Sequence, residues 1–163
     1  RVGRRGERRC DGRSHGGGRF RSEGPTGTWQ TLATKWDGDR RRNWGVFLGR
    51  EQGDLSFSAS FEKLPGAFYD IGSGYSLFDG RWHRVAVTYS AHDAEVCFYV
   101  DGERVRRVAR DGGKLLTNRV PVRLAGGFTD GRSQPAKTMA AVSHVQVWNR
   151  ALSGEEIRKL GGP

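Results

Sequence analysis

One stretch of eight residues alternates strictly between apolar and polar side chains. In Asp54–Phe61, the apolar Leu55, Phe57, Ala59 and Phe61 fall on one side and three serines fall on the other. Successive side chains of a β-strand point to opposite faces of its sheet, so this period of two predicts a half-buried antiparallel strand.

Two further stretches alternate in the same way, Trp82–Tyr89 and Glu95–Val100. Asp101 and Gly102 then form a favoured two-residue hairpin turn, and 104–109 is the predicted returning strand. Further strands are predicted at 29–36, 44–49, 121–125 and 139–148.

The end of the chain carries the one helix signal. Ser153 and Glu156 have the spacing of a capping box, and Ile157 and Leu160 follow at a helical interval. About eight short strands and one short C-terminal helix predict an all-β, two-sheet antiparallel sandwich. A chain of 163 residues with 25 glycines suits one such domain.

The first 28 residues have a different composition. Residues 1–24 carry eight arginines and three acidic residues, a net charge of +5 (8 − 3), and few large apolar side chains. Such a segment buries too little to offset the entropy of ordering. We expect a disordered Arg/Gly-rich tail over 1–28, no long regular strand before about Thr28, and a sandwich over 29–163.

Four ordered blocks of sequence resemble the laminin-G-like domains of the concanavalin A-like lectin and glucanase jelly rolls. Trp82-His-Arg-Val-Ala and Phe98-Tyr-Val-Asp-Gly are similar to the family's W-H-x-V-A strand and Y-V-D-G hairpin. Ala125-Gly-Gly and Val145-Gln-Val-Trp-Asn-Arg-Ala-Leu-Ser resemble its glycine turn and closing strand. The resemblance implies a jelly-roll recognition or adhesion module that is commonly glycan-binding, often calcium-dependent, and part of a larger extracellular or cell-envelope protein.

The chain departs from this family in two places. The apolar opening strand has no counterpart in residues 1–28, so we expect a truncated first strand or a stretch that is foreign or misread. Where the closing strand normally begins with a carboxylate segment, the chain has Ala140–His144. Asp37-Gly-Asp39 is interpreted as a turn rather than a calcium loop. We therefore predict no metal site and no cofactor.

Catalysis and membrane insertion are both disfavoured. A glycosidase needs two carboxylates across the scissile bond, and no predicted strand supplies such a pair, so the chain is expected not to be an enzyme. No apolar run approaches the ~18 residues that span a bilayer.

Aromatic and basic side chains are the candidate ligand groups. Aromatic rings stack on sugar rings while nearby Arg and Asn donate hydrogen bonds; large aromatics in sandwiches are often core, to which we assign Trp82 and Trp148. The predicted ligand-binding residues are Arg41, Asn43, Trp44, Tyr69 and Tyr75. The predicted polyanion-binding residues are Arg40, Arg42, Arg104, Arg106, Arg107 and Arg110.

Three functions remain open from the sequence. The first is a non-catalytic module that binds carbohydrate or another polyanionic glycan. The second is a structural accessory domain packed against a neighbouring enzyme domain. The third and least favoured is nucleic-acid binding through the basic tail.

Overall fold

The computed structural model describes residues 17–37, 41–125 and 140–160. Within these ranges lie ten strands and one helix, and every strand pair is antiparallel. The elements are β1 (Gly17–Ser22), β2 (Gln30–Asp37), β3 (Arg41–Leu48), β4 (Asp54–Phe61), β5 (Leu64–Ser76), β6 (His83–Ser90), β7 (Glu95–Val100), β8 (Glu103–Ala109), β9 (Arg123–Leu124), β10 (Ala140–Gln146) and α1 (Gly154–Lys159).

The strands form two sheets of five, packed face to face. Sheet A has the order β10-β1-β6-β7-β8, and sheet B has the order β5-β4-β3-β2-β9. The predicted two-sheet jelly-roll sandwich with one short C-terminal helix is confirmed. The turn between β7 and β8 is also as predicted, because Asp101 and Gly102 both have positive φ angles, 51° and 89°, which a tight two-residue hairpin of the primed type requires.

Strand β1 corrects the prediction about the start of the chain. The expectation of no long regular strand before about Thr28 is wrong, because β1 pairs with β10 on one side and with β6 on the other. Its one large apolar side chain, Phe20, is 1% exposed in the core. The segment lacks apolar–polar alternation. It forms a strand because it is paired on both edges and buries this single ring. Residues 1–16 lie outside the described residues.

The main core lies between the two sheets. The alternating side chains of β4, β6 and β7 meet there, and Phe57, Val87 and Phe98 are fully buried. A second, smaller cluster lies on the opposite face of sheet A, where α1 covers it; Ile157 is its most buried member and Trp148 packs against it.

Sheet B is covered on its outer face as well, which the alternation did not predict. The serines of β4 are buried rather than half-exposed: Ser56, Ser58 and Ser60 are 8% exposed or less. Phe47 and Trp36 form a buried aromatic layer on this face, with ring centroids 5.3 Å apart and a mutual angle of 86°. This layer explains why strand β4 is polar in sequence yet buried on both faces.

Helix α1 begins as predicted. The backbone N–H of Glu156 donates to Oγ of Ser153 over 3.2 Å, and the Ser153 N–H donates to the Glu156 carboxylate over 2.8 Å. The guanidinium of Arg150 also donates to both oxygens of Glu156, at 3.0 and 2.6 Å. The Arg150 hydrogen bond and the backbone N–H of Ser153 lower the pKa of Glu156 to about 2. Within the described chain, no helix is long and apolar enough to span a bilayer.

Candidate functional site

A cleft of about 530 Å³ opens on the outer face of sheet A, beside α1. Its floor consists of small residues from the middle strands, because Gly17 of β1 pairs with Ala86 of β6. Leu160 and Ile157 supply an apolar wall, and polar side chains of β10, His144 and Gln146, line the cleft as well. The cleft therefore combines an apolar wall with hydrogen-bonding groups, the mixture typical of small-ligand sites.

The most exposed aromatic ring of the cleft is Trp82, just before β6. Its exposed fraction is 42%, although the sequence assigned it to the core. That assignment is wrong because Trp82 shares the face of Arg84 and Ala86, opposite the buried Val85 and Val87. The guanidinium carbons of Arg19 and Arg21 each lie 5.9 Å from the centroid of the Trp82 ring, within the range of a cation–π contact.

Arg84 is held by its backbone at the end of the cleft. Its N–H donates to Oδ1 of Asp101 over 2.8 Å, and its carbonyl accepts from the Asp101 N–H over 2.7 Å. A Cβ placed on Gly102 would lie 2.8 Å from a terminal nitrogen of Arg84, so the guanidinium packs over this glycine. Among the described residues, that guanidinium has no hydrogen-bond or ion-pair partner, and its Nε is buried.

His83 connects two carboxylates at the same end. Its Nδ1 lies 2.8 Å from Oδ2 of Asp101, and its Nε2 lies 3.0 Å from both oxygens of Asp79. Because an ionised carboxylate can only accept, both contacts are hydrogen bonds when both ring nitrogens carry a proton, so the two carboxylates favour the imidazolium form. Burial acts to lower the pKa of His83, but the hydrogen bonds to Asp101 and Asp79 outweigh it and the pKa is raised.

Asp79 is ordered by the same cluster. Its Oδ1 accepts the backbone N–H of Arg81 over 2.9 Å. This backbone hydrogen bond, together with the bond to His83, lowers the pKa of Asp79. His83, Asp79 and Asp101 therefore form a compact charged clamp, in which two carboxylates share the single positive charge of one protonated histidine.

A family model described as the concanavalin A-like lectin/glucanases superfamily, with a laminin G-type domain, matches residues 19–158. The chain belongs to this family. The match begins inside β1 and ends inside α1, so this laminin-G-like domain includes the strands that line the cleft and most of the helix beside it.

Several solved structures share the fold of this laminin-G-like domain. The carbohydrate-binding module 40 of the Ruminococcus gnavus IT-sialidase, bound to α2,3-sialyllactose, superposes with a TM-score of 0.68 at 17% identity, covering 94% of this chain and 84% of that one. The binding domain of Paraclostridial mosquitocidal protein 1 gives 0.63 at 13% identity, covering 91% and 36%. Domains LG4-5 of the mouse laminin α1 chain give 0.60 at 18% identity, covering 93% and 39%. The chain thus spans little more than a third of the toxin and laminin chains.

Two of the predicted ligand residues are not on a rim. Trp44 is 4% exposed and belongs to the main core, and Asn43 is 6% exposed and donates through Nδ2 to the carbonyl of Leu116. The predicted rim position is wrong for both, because β3 is an inner strand of sheet B, paired with β2 and β4. Of their neighbours, Arg41 and Arg42 have described backbones but no described side chains, and Arg40 lies outside the described residues.

The predicted tyrosines lie on β5, in the other sheet from the cleft. Tyr69 is partly buried against the ring of Phe61, at 6.1 Å, and the Arg110 guanidinium lies 5.4 Å from its centroid. Tyr75 is 43% exposed, and its N–H donates to Oγ of Ser73. The structure therefore does not bring Tyr69 and Tyr75 together with Trp82.

The predicted polyanion-binding arginines of the β8 region point in different directions. Arg104 and Arg107 lie opposite Tyr99 and Cys97, on the outer face of sheet A, and Arg107 is paired with Glu95. Arg106 instead reaches towards Gly74 of sheet B, 3.5 Å from where its Cβ would be. Strand β8 is an edge of sheet A, whereas Arg41 and Arg42 begin β3 in sheet B. Convergence of the arginines around β8 with Arg40 and Arg42 therefore remains a prediction.

No metal site is apparent among the described residues. They contain no group of three His, Cys, Asp or Glu side chains arranged to hold an ion. The Asp37-Gly-Asp39 turn lies largely outside the described residues.

Sequence reasoning missed Arg19, Trp82 and Arg84. The signal for two of them was present, since the alternation that puts Val85 and Val87 in the core puts Trp82 and Arg84 on the opposite face. Arg19 could not be found in this way, because β1 itself was not predicted.

Proposed function

We propose that this laminin-G-like domain is a non-catalytic recognition module that binds carbohydrate in the cleft beside α1. The observation that carries the proposal is Trp82, a tryptophan that is 42% exposed at an open cleft. An indole face offers a large apolar surface with a polar edge, which suits a sugar ring that has both apolar faces and hydroxyl groups.

The groups around Trp82 support this proposal. Gln146 offers an amide with both donors and an acceptor, and His144 offers ring nitrogens. His144 has a positive φ of 52° at an irregularity in the β1–β10 pairing. Bulges of this kind redirect side chains near binding sites, and this one places His144 among the residues that line the cleft.

The arrangement of acids favours recognition over hydrolysis. Of the described residues that line the cleft, Asp101 is the one acid, and its oxygens already accept from His83 and from the Arg84 backbone. A retaining or inverting glycosidase needs one protonated and one ionised carboxyl group across the bond. Asp79 and Asp101 are instead bridged by an imidazolium.

The wider setting is part of the same proposal. The carbohydrate-binding module 40 structure contains a bound sialylated glycan, and the toxin and laminin chains are much longer than this one. We infer a module of a larger extracellular or cell-envelope protein, whose partners are glycans and the neighbouring domains of the same chain.

Binding to an array of immobilised glycans tests the proposal, with the Trp82→Ala variant as the decisive comparison. Tyr75→Ala is the matched control, because Tyr75 is equally exposed but lies on sheet B. We expect the wild type and Tyr75→Ala to bind the same glycans and Trp82→Ala to lose them. If Tyr75→Ala lost glycan binding and Trp82→Ala kept it, the site would lie on β5, as the sequence predicted.

One observation favours the alternative of a structural accessory domain. Leu116, Val122 and Leu124 are 47%, 41% and 49% exposed and follow one another along the segment that leads into and forms β9. Exposed apolar side chains of this density are typical of a surface that packs against another domain. Absence of binding to any glycan would favour this function. Nucleic-acid binding through the basic tail rests on residues that lie mainly outside the described part of the chain.

A further inference from the structure

The cleft beside α1 is lined by more positive than negative charge, and a neutral sugar would not compensate this excess. Arg19 and Arg84 both line it. One acid lines it, Asp101, and the His83 ring that it contacts is shared with Asp79, so the two arginines outnumber the carboxylate two to one. Arg19 contacts the face of Trp82 and, within the described chain, has no carboxylate partner. The cleft therefore has a positive field focused by low-dielectric walls.

Among the residues of the cleft, Arg84 is the one at which an unpaired charge lowers the stability of the domain most. Its Nε is buried and has no hydrogen-bond partner among the described residues. A buried donor of a charged group that stays unpaired lowers stability, and such groups normally have a partner. One terminal nitrogen of the guanidinium packs over Gly102, and the backbone of Arg84 is hydrogen-bonded to Asp101 through both its N–H and its carbonyl.

The remaining neighbours do not supply the missing anion. Asp101 approaches Arg84 through its backbone N–H and not through its guanidinium. From α1, the residue next to Gly102 is Arg158, a second cation. Among the described residues, no carboxylate is hydrogen-bonded to the Arg84 guanidinium, and a ligand anion would supply that partner.

We infer that the cleft takes saccharides bearing an anionic group, a carboxylate or a sulfate, and that Arg84 binds this group while Trp82 contacts the sugar ring. The inference rests on the proposed function and narrows it to one chemical class of ligand. A guanidinium presents paired N–H donors whose spacing matches the oxygens of a carboxylate or sulfate.

Calorimetric titration of the folded domain with α2,3-sialyllactose, with lactose, and with a sulfated heparin tetrasaccharide tests the inference. We expect at least one anionic probe to bind about tenfold tighter than lactose, equivalent to one charge-assisted contact. We also expect this preference to weaken as salt is added. The two anionic probes separate the sources: tighter binding of sialyllactose indicates a carboxylated sugar, and tighter binding of the tetrasaccharide indicates a sulfated one.

Two variants and a control assign the effect to the guanidinium. Arg84→Gln should remove the preference for the anionic probe while retaining weak binding of lactose, and Arg84→Lys should recover only part of the preference. Arg50→Gln removes the same charge from the exposed turn between β3 and β4 of sheet B, away from the cleft, and should change nothing. Thermal unfolding of each variant establishes that it is folded.

The outcomes separate this inference from the proposed function. Suppose that lactose and both anionic probes bind equally, that Trp82→Ala loses this binding and that Arg84→Gln keeps it. This result would overturn the role of Arg84 and leave the carbohydrate site intact. No binding of any saccharide by the folded wild type would overturn both. A preference for anions that Arg50→Gln reduces as much as Arg84→Gln would show a diffuse surface charge in place of a site.

Discussion

The Nδ1 atom of His83 lies 2.8 Å from Oδ2 of Asp101, and this contact joins the start of β6 to the β7–β8 turn. The His83 side chain is 11% exposed and bonded on its other nitrogen to Asp79. The clamp therefore depends on a proton that a histidine loses near neutral pH.

We predict that the domain is more stable in mildly acidic than in alkaline solution, through His83. The folded-state pKa of His83 is raised above its ordinary value of 6.5. Its contribution is therefore fully present below pH 6.5 and is lost as the pH rises through the folded-state pKa. The lowered pKa of Asp79 acts in the opposite range, since its contribution is lost as the pH falls below its ordinary value of 3.8.

Urea unfolding of the wild type and of His83→Gln, at about pH 5.5 and about pH 9, measures this effect. The wild type should lose stability between the two conditions, and the variant should lose less. His92→Gln is the control, because His92 is an exposed histidine, with 69% of its side chain accessible, outside the clamp. An equal pH dependence in the wild type and His83→Gln would rule out the clamp as its source.

A second prediction concerns β1. Because this strand is paired on both edges, the amides of Arg19, Phe20 and Arg21 should resist hydrogen exchange to a degree comparable with those of 85–89. Phe20→Ala should destabilise the domain by about 3–5 kcal/mol, the usual cost of truncating a buried aromatic ring. Exchange of the β1 amides within seconds would show that the strand does not form.

A third prediction concerns the core between the sheets. Phe57 and Phe98 are fully buried, one on each sheet, so Phe57→Ala and Phe98→Ala should each cost about 3–5 kcal/mol in urea unfolding. Phe68→Ala serves as the comparison, because Phe68 is 36% exposed on sheet B. A similar loss for Phe68→Ala and the two core variants would contradict this assignment of the core.

A fourth prediction connects the helix cap to the cleft. Ser153→Ala removes the acceptor for the Glu156 N–H and should cost about 1 kcal/mol. Since α1 carries Ile157 and borders Leu160, both of which line the cleft, the variant should also bind saccharide more weakly. Glu155→Gln, which changes an exposed residue of the same turn paired with Lys159, should leave binding unchanged.

A fifth prediction follows from the pKa of Glu156. Because this pKa is about 2, against an ordinary value of 4.5, the contribution of the capping carboxylate is fully present above about pH 4.5 and is lost progressively as the pH falls from there through about 2. Protection of the α1 amides from hydrogen exchange should therefore be lower at about pH 3.5 than at about pH 6, after correction for the intrinsic rate. Glu156→Gln should remove this difference between the two pH values.

The elements that the sequence predicted are those with local signals. Period-two alternation located β4, β6 and β7 within one residue of their ends, and the capping box located α1. These patterns are properties of neighbouring residues. They do not depend on what lies across the sheet.

The elements that the sequence missed depend on distant partners. Strand β1 has one large apolar side chain and two glycines, and it is a strand because β6 and β10 flank it on both sides. The serines of β4 are buried because Phe47 and Trp36 cover that face of sheet B. Trp44 was mistaken for a rim residue for the same reason, since the burial of β3 comes from β2 and β4.

The candidate cleft could not be predicted from local sequence patterns either. Its residues come from β1, β6, β10, the β7–β8 turn and α1, so no single window of sequence contains it. The outward face of β6 could have indicated Trp82 and Arg84. Their position beside Arg19 and Leu160 follows from the topology alone.

The pairing of Phe20 with Val142 also determines when the domain can be completed during its synthesis. Strand β1 leaves the ribosome first of all the described strands, and β10 leaves last. Sheet A therefore keeps one edge of β1 open until almost the entire domain has been translated, and contacts this remote in sequence form slowly. Nascent chains that stall before β10 would expose that edge together with nearby apolar side chains, and they would be the species most prone to aggregate in the cell.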